Sequence, residues 1–352
     1  MPDSLVSSAA NRFEYPVLVA DIGGTNARFA RIDGPVSDTV HCPSQGTGNH
    51  TGLIEAAKDS LAGVEGPEPK TLIAAVAGPV TSDVIPLTNA PWIIEPRKVL
   101  AELKLDQVVI INDFEAQALA LPELSGDEIE QIGGGAVRPA SSKFVLGPGT
   151  GLGAAAMINA ANTWIPVPGE GGHVEIGPVS ADDEAIWPHI ERLGGRIGAE
   201  NILSGSGLPR LAAAVAKSRG SEPTFQTAAD VTGAAASNDP IAVETLHVFA
   251  RALGRVAGDF ALSLLARGGV YLTGGVTPRI DAFLMDGHFR AAFEAKAPHE
   301  NLMKSIPTFI VRHPNPALKG LSAFAHHPDR FAVDIADRSW VSQGREGTAL
   351  AG

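Results

Sequence analysis

A single cysteine, Cys42, stands in a chain of 352 residues. One thiol cannot form an internal disulfide, and no thiolate zinc cluster can be built within one chain, so no structural zinc is expected. Positive charge is also short: 27 Lys and Arg against 39 Asp and Glu leave a formal net charge of -12. No basic patch survives that balance, so a nucleic-acid partner is not expected. No apolar run is long enough to cross a bilayer, so no membrane partner is expected. The opening "MPDSLVSSAANRFE" lacks the basic and apolar regions of a secretory signal. A G-x-x-x-x-G-K-[ST] run is missing as well, which excludes a Walker-type nucleotide loop. What remains, 44% hydrophobic and 19% charged, is the composition of an ordinary globular protein, expected in the cytoplasm.

The length exceeds one simple core and predicts two domains. Strand and helix patterns alternate, which places the chain in the α/β class. "PVLVADIGG" and "NARFARI" read as two strands joined by a glycine turn, and "GLIEAAKDSLAG" has helical spacing. "KTLIAAVAG" is a buried strand, and Pro96 is placed to open a helix. "QVVIIND" then "FEAQALAL" predict a strand running into a helix, with Asn112 as its cap and Glu115 completing a capping box. After the joint "QIGGGAVRPASS" the theme restarts with "KFVLGPGTGLGAAAMI". Residues 239–267 predict one long helix or two abutting ones, "GVYLT" and "PTFIVRH" predict strands, and the polar stretch from about Pro328 predicts a loosely held tail. The strand-glycine-strand units near residues 21 and 149 suggest a duplicated architecture.

The glycines carry the first chemical signal. Gly23 and Gly24 leave no Cβ in a ligand's way, and such a turn can point successive N–H groups at phosphate oxygens. Asp21, just before them, suits a hydrated Mg2+, and Thr25 offers a hydroxyl. Alone, this is also a plain hairpin turn. "GPGTGLG", four glycines in seven residues from Gly147 to Gly153, suggests close backbone approach to a ligand. Gly149, Gly151 and Ala154 also fit a loose dinucleotide-binding pattern, which would require a helix to follow at once. Gly274 and Gly275, after the strand "GVYLT", suit a flat ligand lying on the backbone or a simple strand-to-helix turn.

Together, "DIGGTNARFA", "INDFEAQALA", "GPGTGLG", "PGEGGH", "AENILSGSGL" and "LTGGV" resemble, in order and spacing, the bacterial ATP-dependent glucokinase family, of the hexokinase, actin and chaperone-ATPase superfamily. The resemblance covers roughly residues 15 to 328. It implies a two-lobed hexokinase/actin-like, ribonuclease-H-like fold with the active site in the inter-lobe cleft. The organisation expected is an N-terminal arm (1–14), a small α/β domain (15–123 plus 312–328), a large α/β domain (124–311) and a C-terminal tail (329–352). Proline- and glycine-rich joints near 122–140 and 312–320 are the expected hinges. ATP contacts are implied for Ala20, Asp21, Ile22, Gly23, Gly24, Thr25, Asn26, Gly149, Thr150, Gly151, Gly274 and Gly275, with Asp21 reaching Mg2+ through water. The related ROK sugar kinases carry a cysteine-rich zinc motif after their glycine-histidine loop, which Cys42 alone cannot supply, so His173 loses that metal role.

Phosphoryl transfer to an alcohol needs positioning, charge neutralisation and a base. Asp113, where a buried strand meets a helix, is the candidate base, although "ND" also reads as a helix cap. A hexose presents hydroxyls that each need a partner. By resemblance Asn112, Asp113, Glu170, His173 and Glu200 meet them; on residue pattern alone Glu170 is also a loop acid, His173 a core histidine and Glu200 a solvated charge. Closure driven by the sugar would exclude water, so hydrolysis without sugar should be slow. The expected activity is that of a glucokinase making glucose 6-phosphate from glucose and MgATP, in a homodimer. The alternatives are a kinase of another hexose or N-acetylhexosamine, a non-catalytic sugar-binding regulator, and a nicotinamide dehydrogenase.

Overall fold

The structure, a computed structural model, describes residues 13–78, 80, 82–88 and 90–342. The chain divides into two compact units. The first takes the residues up to Leu124, Met157–Val167 and those from Pro314; the second takes Ser125–Ala156 and Pro168–His313. The chain therefore passes between units at 124/125 and 313/314, inside the joints expected to be hinges, and also at 156/157 and 167/168.

In the first unit, alternation of apolar residues builds β1 (Val17–Ile22) and β2 (Asn26–Ile32), an antiparallel hairpin whose turn is Gly23–Thr25. Short strands β3 (Thr39–His41) and β4 (Gln45–Gly46) pair with β2. Helix α1 (Leu53–Ala62) leads to β5 (Thr71–Val76), buried at every position as a strand covered on both faces must be. A two-stranded ribbon, β6 (Ile85–Pro86) with β7 (Ile93–Ile94), precedes α2 (Pro96–Leu103), which Pro96 opens. β8 (Gln107–Asn112) then runs directly into α3 (Asp113–Ala120). Strands β1, β5 and β8 are parallel, and Ile22, Val76 and Asn112 lie in one cross-strand row.

The second unit repeats this plan. β9 (Ile129–Gly133) is followed by β10 (Lys143–Pro148), β11 (Leu152–Ala160) and β12 (Thr163–Gly169), of which the stretch Met157–Val167 falls to the first unit. Short α4 (Ala181–Ile186), then α5 (Gly207–Ser218), α6 (Ala228–Ala236) and α7 (Pro240–Leu264) follow. β13 (Val270–Leu272), α8 (Asp281–Met285), α9 (His288–Glu294), α10 (Glu300–Ser305) and β14 (Thr308–Val311) complete it. The sheet order is β12-β11-β10-β13-β14-β9, with β10, β13 and β14 parallel. A glycine-turn hairpin feeding three parallel strands thus occurs twice, which is the duplication suggested by the two glycine motifs. Residues 240–264 form one continuous helix, N-capped by Asp239 and ended at Leu265 in the left-handed region. Its apolar side (Leu246, Phe249, Leu253, Val256) sits in the unit's core with Phe289 and Phe293.

The chain then returns to the first unit as α11 (Pro316–His326), which lies so close on α3 that a Cβ at Gly320 would meet the Ala116 carbonyl oxygen at 2.0 Å. The segment beyond residue 328, expected as a loose tail, supplies β15 (Ser339–Val341) antiparallel to β8, giving the order β15-β8-β5-β1-β2-β3. Trp340 is buried, and Arg338 forms a two-pronged ion pair with Glu115, which is 1% exposed. Pairing covers an edge that β8 would otherwise leave open. Of the expected N-terminal arm, residues 1–12 lie outside the described residues; Phe13 packs edge-on against Phe324, and the Thr71 hydroxyl donates to the Glu14 carbonyl at 2.8 Å. Residues 343–352 of the expected tail also lie outside the described residues. Among the described residues no helix is long and apolar enough to cross a membrane.

Candidate active site

Ligand-facing chemistry in parallel sheets gathers at the carboxyl ends of the strands. In the first unit those ends carry the turn after β1, Gly78 after β5, and Asn112-Asp113 after β8. Since Ile22, Val76 and Asn112 share a row, the glycine turn and Asp113 stand about 10 Å apart, two strand spacings. Asn112 is the N-cap of α3: its Oδ1 accepts from the N–H groups of Phe114 (2.9 Å) and Glu115 (3.2 Å), and its Nδ2 donates to the Gly78 carbonyl at 3.3 Å. The Phe114 N–H also donates to Asp113 Oδ1 at 3.0 Å, fixing the carboxylate at the helix start. Glu115 does not complete the expected capping box; its side chain is buried against Arg338 instead.

Asp21 sits opposite Arg28 in the hairpin register, with Oδ2 3.3 Å from Nη1. Burial raises its pKa, and the nearby Arg28 charge and hydrogen bond only partly offset this. The turn itself closes through Gly23 N–H donating to the Asn26 carbonyl at 3.0 Å. It is braced from outside by Thr47, whose hydroxyl donates to the Gly24 carbonyl at 2.7 Å and whose N–H donates to Thr25 at 2.9 Å. The buried Trp92 holds Thr47 in turn, its indole N–H 3.0 Å from the carbonyls of both Thr47 and His50. Neither brace is visible in the sequence, because each partner lies on a different element. Arg28 was not singled out, although the two-strand reading of the hairpin would have paired it with Asp21.

In the second unit the β10–β11 turn, Gly149–Gly151, gathers most of the remaining candidates. A strand and not a helix follows it, so the dinucleotide-binding alternative falls. Gly274, at φ 86°, lies against this turn so tightly that a Cβ would meet the Pro148 carbonyl oxygen at 2.4 Å. Gly149 and Gly275 have no such neighbour: a Cβ on Gly149 would find nothing nearer than 4.0 Å, and one on Gly275 nothing within 4 Å. Packing within the chain does not demand glycine there, so both backbones are open to a ligand. Glu200 Oε2 accepts the Leu152 N–H at 2.8 Å, and Gly205 N–H donates to the Gly149 carbonyl at 2.7 Å. The loop of Glu170 and His173 is seated alongside, because a Cβ on Gly172 would lie 1.8 Å from the Leu152 carbonyl oxygen. His173 Nε2 is 3.7 Å from Glu170 Oε2, and both side chains are exposed. Two surface cavities of about 310 and 440 Å³ lie elsewhere, along α1 and α2 where Lys58 and Glu102 line both. Neither is lined by a residue of these turns or by Asp113; convergent polar chemistry, and not cavity size, marks the site.

This fold, with an acid at a helix start on a parallel-strand edge and a glycine turn in each unit, is shared with solved sugar kinases. A glucokinase from Balamuthia mandrillaris in complex with glucose shares the fold at a TM-score of 0.72 and 21% identity, over 90% of this chain and 96% of that one. A glucokinase from an Antarctic psychrotroph aligns at a TM-score of 0.79 and 31% identity, covering 90% of this chain and all of that one. The family model described as Glucokinase matches residues 18–328. A glucokinase of Sinorhizobium fredii is 50% identical over 96% of this chain and 99% of its own length. One of Rhizobium meliloti is 49% identical over 95% and 99%. The chain belongs to the glucokinase family.

Proposed function

We propose that this protein transfers the γ-phosphoryl group of ATP to the 6-hydroxyl of glucose, giving glucose 6-phosphate and ADP. The near-complete match to relatives named glucokinase supports the activity. At the level of residues, the observation that carries the reading is the shared row Ile22–Val76–Asn112, which sets Asp113 and the Gly23–Gly24 turn on one strand edge.

Asp113 accepts the proton of the 6-hydroxyl while that oxygen attacks the γ-phosphorus. The bond from γ-phosphorus to the bridging oxygen breaks, and ADP leaves with its electron pair. Asn112 spends its Oδ1 on the helix start and one N–H on Gly78, which leaves its second N–H for a sugar hydroxyl. Glu170 and His173, both exposed, and the second carboxylate oxygen of Glu200 supply further partners. The phosphates lie against residues 20–26 and against Gly149, Thr150, Gly151, Gly274 and Gly275. Asp21 fits a hydrated Mg2+: it is a hard oxygen donor, and burial disfavours its carboxylate more than Arg28 relieves, so a cation nearby would favour the ionised form. When bound, that ion neutralises charge on the donor phosphates.

A coupled ADP-release assay with MgATP and a panel of hexoses and N-acetylhexosamines tests this. Glucose should be the preferred acceptor; release independent of any sugar would overturn the reading, and preference for another sugar would move the substrate. Asp113→Ala should lower kcat by about 10²- to 10⁴-fold, the usual contribution of a positioned base. Calorimetry should show glucose binding retained in that variant, and wild-type turnover would remove Asp113 from the role.

A further inference from the structure

A histidine-carboxylate cluster lies outside every group used above. His247 projects from α7, Asp286 closes α8, and His288 begins α9. We propose that these three side chains form a binding site for a divalent transition metal of the Zn2+ type. The inference does not depend on the kinase reading, because none of the three belongs to the catalytic or substrate-binding set.

The arrangement is built around one carboxylate. Gly287, at φ 100°, turns the chain so that the His288 backbone N–H donates to Asp286 Oδ1 at 2.9 Å. That bond fixes the carboxylate, a backbone counterpart of the outer-shell partners that orient metal ligands. His288 Nδ1 also lies 2.9 Å from Oδ1. The two lack hydrogen-bond geometry, so Nδ1 is a buried nitrogen with no hydrogen-bond partner. From the other side His247 Nε2 approaches Asp286 Oδ2 at 3.2 Å. The two imidazoles stack with centroids 4.2 Å apart and planes 21° from parallel. One ligand atom from each residue lies within 4.8 Å of the other two.

Zinc takes imidazole nitrogen and carboxylate oxygen at about 2.0–2.2 Å, so tetrahedral ligands sit roughly 3.3 Å apart. The cluster is near that spacing and needs only side-chain rotation to close on an ion. Two nitrogens and one oxygen favour zinc or cobalt over Mg2+ or Ca2+, which prefer oxygen donors. Partial exposure of all three side chains, 28–42%, leaves a fourth position for water and a path of entry. The expectation of no structural zinc rested on cysteine alone. This set has no local motif, because His247 is 39 residues from Asp286.

The consequence is stapling. α9 already packs tightly on α7, since a Cβ at Gly254 would meet the Phe289 carbonyl oxygen at 2.2 Å and one at Gly258 the Phe293 carbonyl oxygen at 2.7 Å. An ion at His247 would tie the start of α9 to the same helix and resist unfolding of the second unit.

The test uses the full chain in a Cys42→Ser background, stripped with chelator and titrated with Zn2+ alone and with Co2+ alone. One equivalent should bind, Co2+ should develop visible ligand-field bands, and Tm should rise with Zn2+ but not with equimolar Mg2+. His247→Gln and Asp286→Asn should each weaken binding by about 100-fold or more, beyond the usual cost of losing an outer-shell group. Both should retain sugar-dependent ADP release once the added metal is removed. Should one variant fail to fold, the other and His288→Gln carry the same comparison. Equal Zn2+ affinity in wild type and variants, absence of the Co2+ bands, or a Zn2+-induced Tm rise that persists in a His247→Gln/His288→Gln chain would each overturn the proposal.

Discussion

The two glycine hairpins share a topology but are held by different chemistry. The β1–β2 turn is braced by neutral groups, the Thr47 hydroxyl and the Trp92 indole, and it carries an acid, Asp21, inside its first strand. The β10–β11 turn has no acid in its strands and is braced by one from outside, Glu200 on the Leu152 N–H. The first hairpin's acid pairs with Arg28 within the hairpin itself; the second turn takes half a carboxylate from outside. A duplicated backbone therefore does not duplicate its electrostatics, and substitutions at matching places should give different results.

The largest contrast is expected at Asp21, which has no counterpart in the other hairpin. Burial raises its folded pKa above the unfolded value. Folding thus prefers the protonated acid, and the stability this group contributes is present at low pH and lost as pH rises through the raised folded pKa. Asp21→Asn removes that loss. Its Tm at neutral pH should equal or exceed wild type, while kcat/KM for ATP falls by roughly 10²-fold or more, in the range seen on losing one electrostatic contributor. Parallel thermal melts and initial rates decide it; a lower Tm with unchanged kinetics would show a structural acid.

Glycine replacement sharpens the comparison next. A Cβ on Gly23 would lie 3.4 Å from the Asn26 carbonyl oxygen, an ordinary contact, whereas one on Gly151 would lie 2.4 Å from Glu200 Oε2. Gly23→Ala should keep stability within about 0.5 kcal/mol and raise KM for ATP at least tenfold by filling the ligand's space. Gly151→Ala must displace Glu200 and leave the Leu152 N–H short of its partner, costing about 1–3 kcal/mol of stability and raising KM for both substrates. Denaturant melts and substrate titrations on the pair measure both effects. Equal stability loss in the two would erase the distinction drawn between the turns.

Glu200→Gln tests the acid brace more gently, since an amide oxygen still accepts the Leu152 N–H. A charged acceptor is worth about 1 kcal/mol more than a neutral one, or roughly fivefold in affinity. Because Glu200 is also assigned to the sugar, KM should rise by about that factor for glucose and ATP together. A change confined to glucose would mean that the bond to Leu152 does not carry over to the donor turn.

What could be read in the sequence was local. Alternation marked both hairpins, and Asn112 capped α3 as its position after a strand required. What could not be read was set by contacts between distant segments. Glu115 fitted a capping box by spacing, but its position faces the interior and it found Arg338, 223 residues away. The segment around Trp340 has too few apolar residues to announce a strand; the open edge of β8 made it one. "GAAAMINA" satisfied a helix start as well as a strand, and only its pairing beside β10 separated the two. Thr47 carries no motif, and "AENILSGSGL" does not announce the bond from Glu200 to Leu152, because bracing depends on where a side chain arrives and not on its neighbours in sequence.

The smallest expected effect lies furthest from the chemistry. Trp92→Phe keeps the buried ring but removes the N–H shared by the Thr47 and His50 carbonyls. Loss of that donor should cost about 1 kcal/mol of stability. Thr47 would remain on the Gly24 and Thr25 backbone with one anchor fewer, so the first turn loosens without losing any group that touches substrate. KM for ATP should then rise two- to fivefold while kcat and KM for glucose stay at wild-type values. A purely structural tryptophan would lower Tm and leave all three constants alone, so the kinetic split separates positioning from packing. If glucose affinity moved instead, the indole would serve the sugar, and the neutral brace would no longer distinguish this hairpin from its acid-held counterpart.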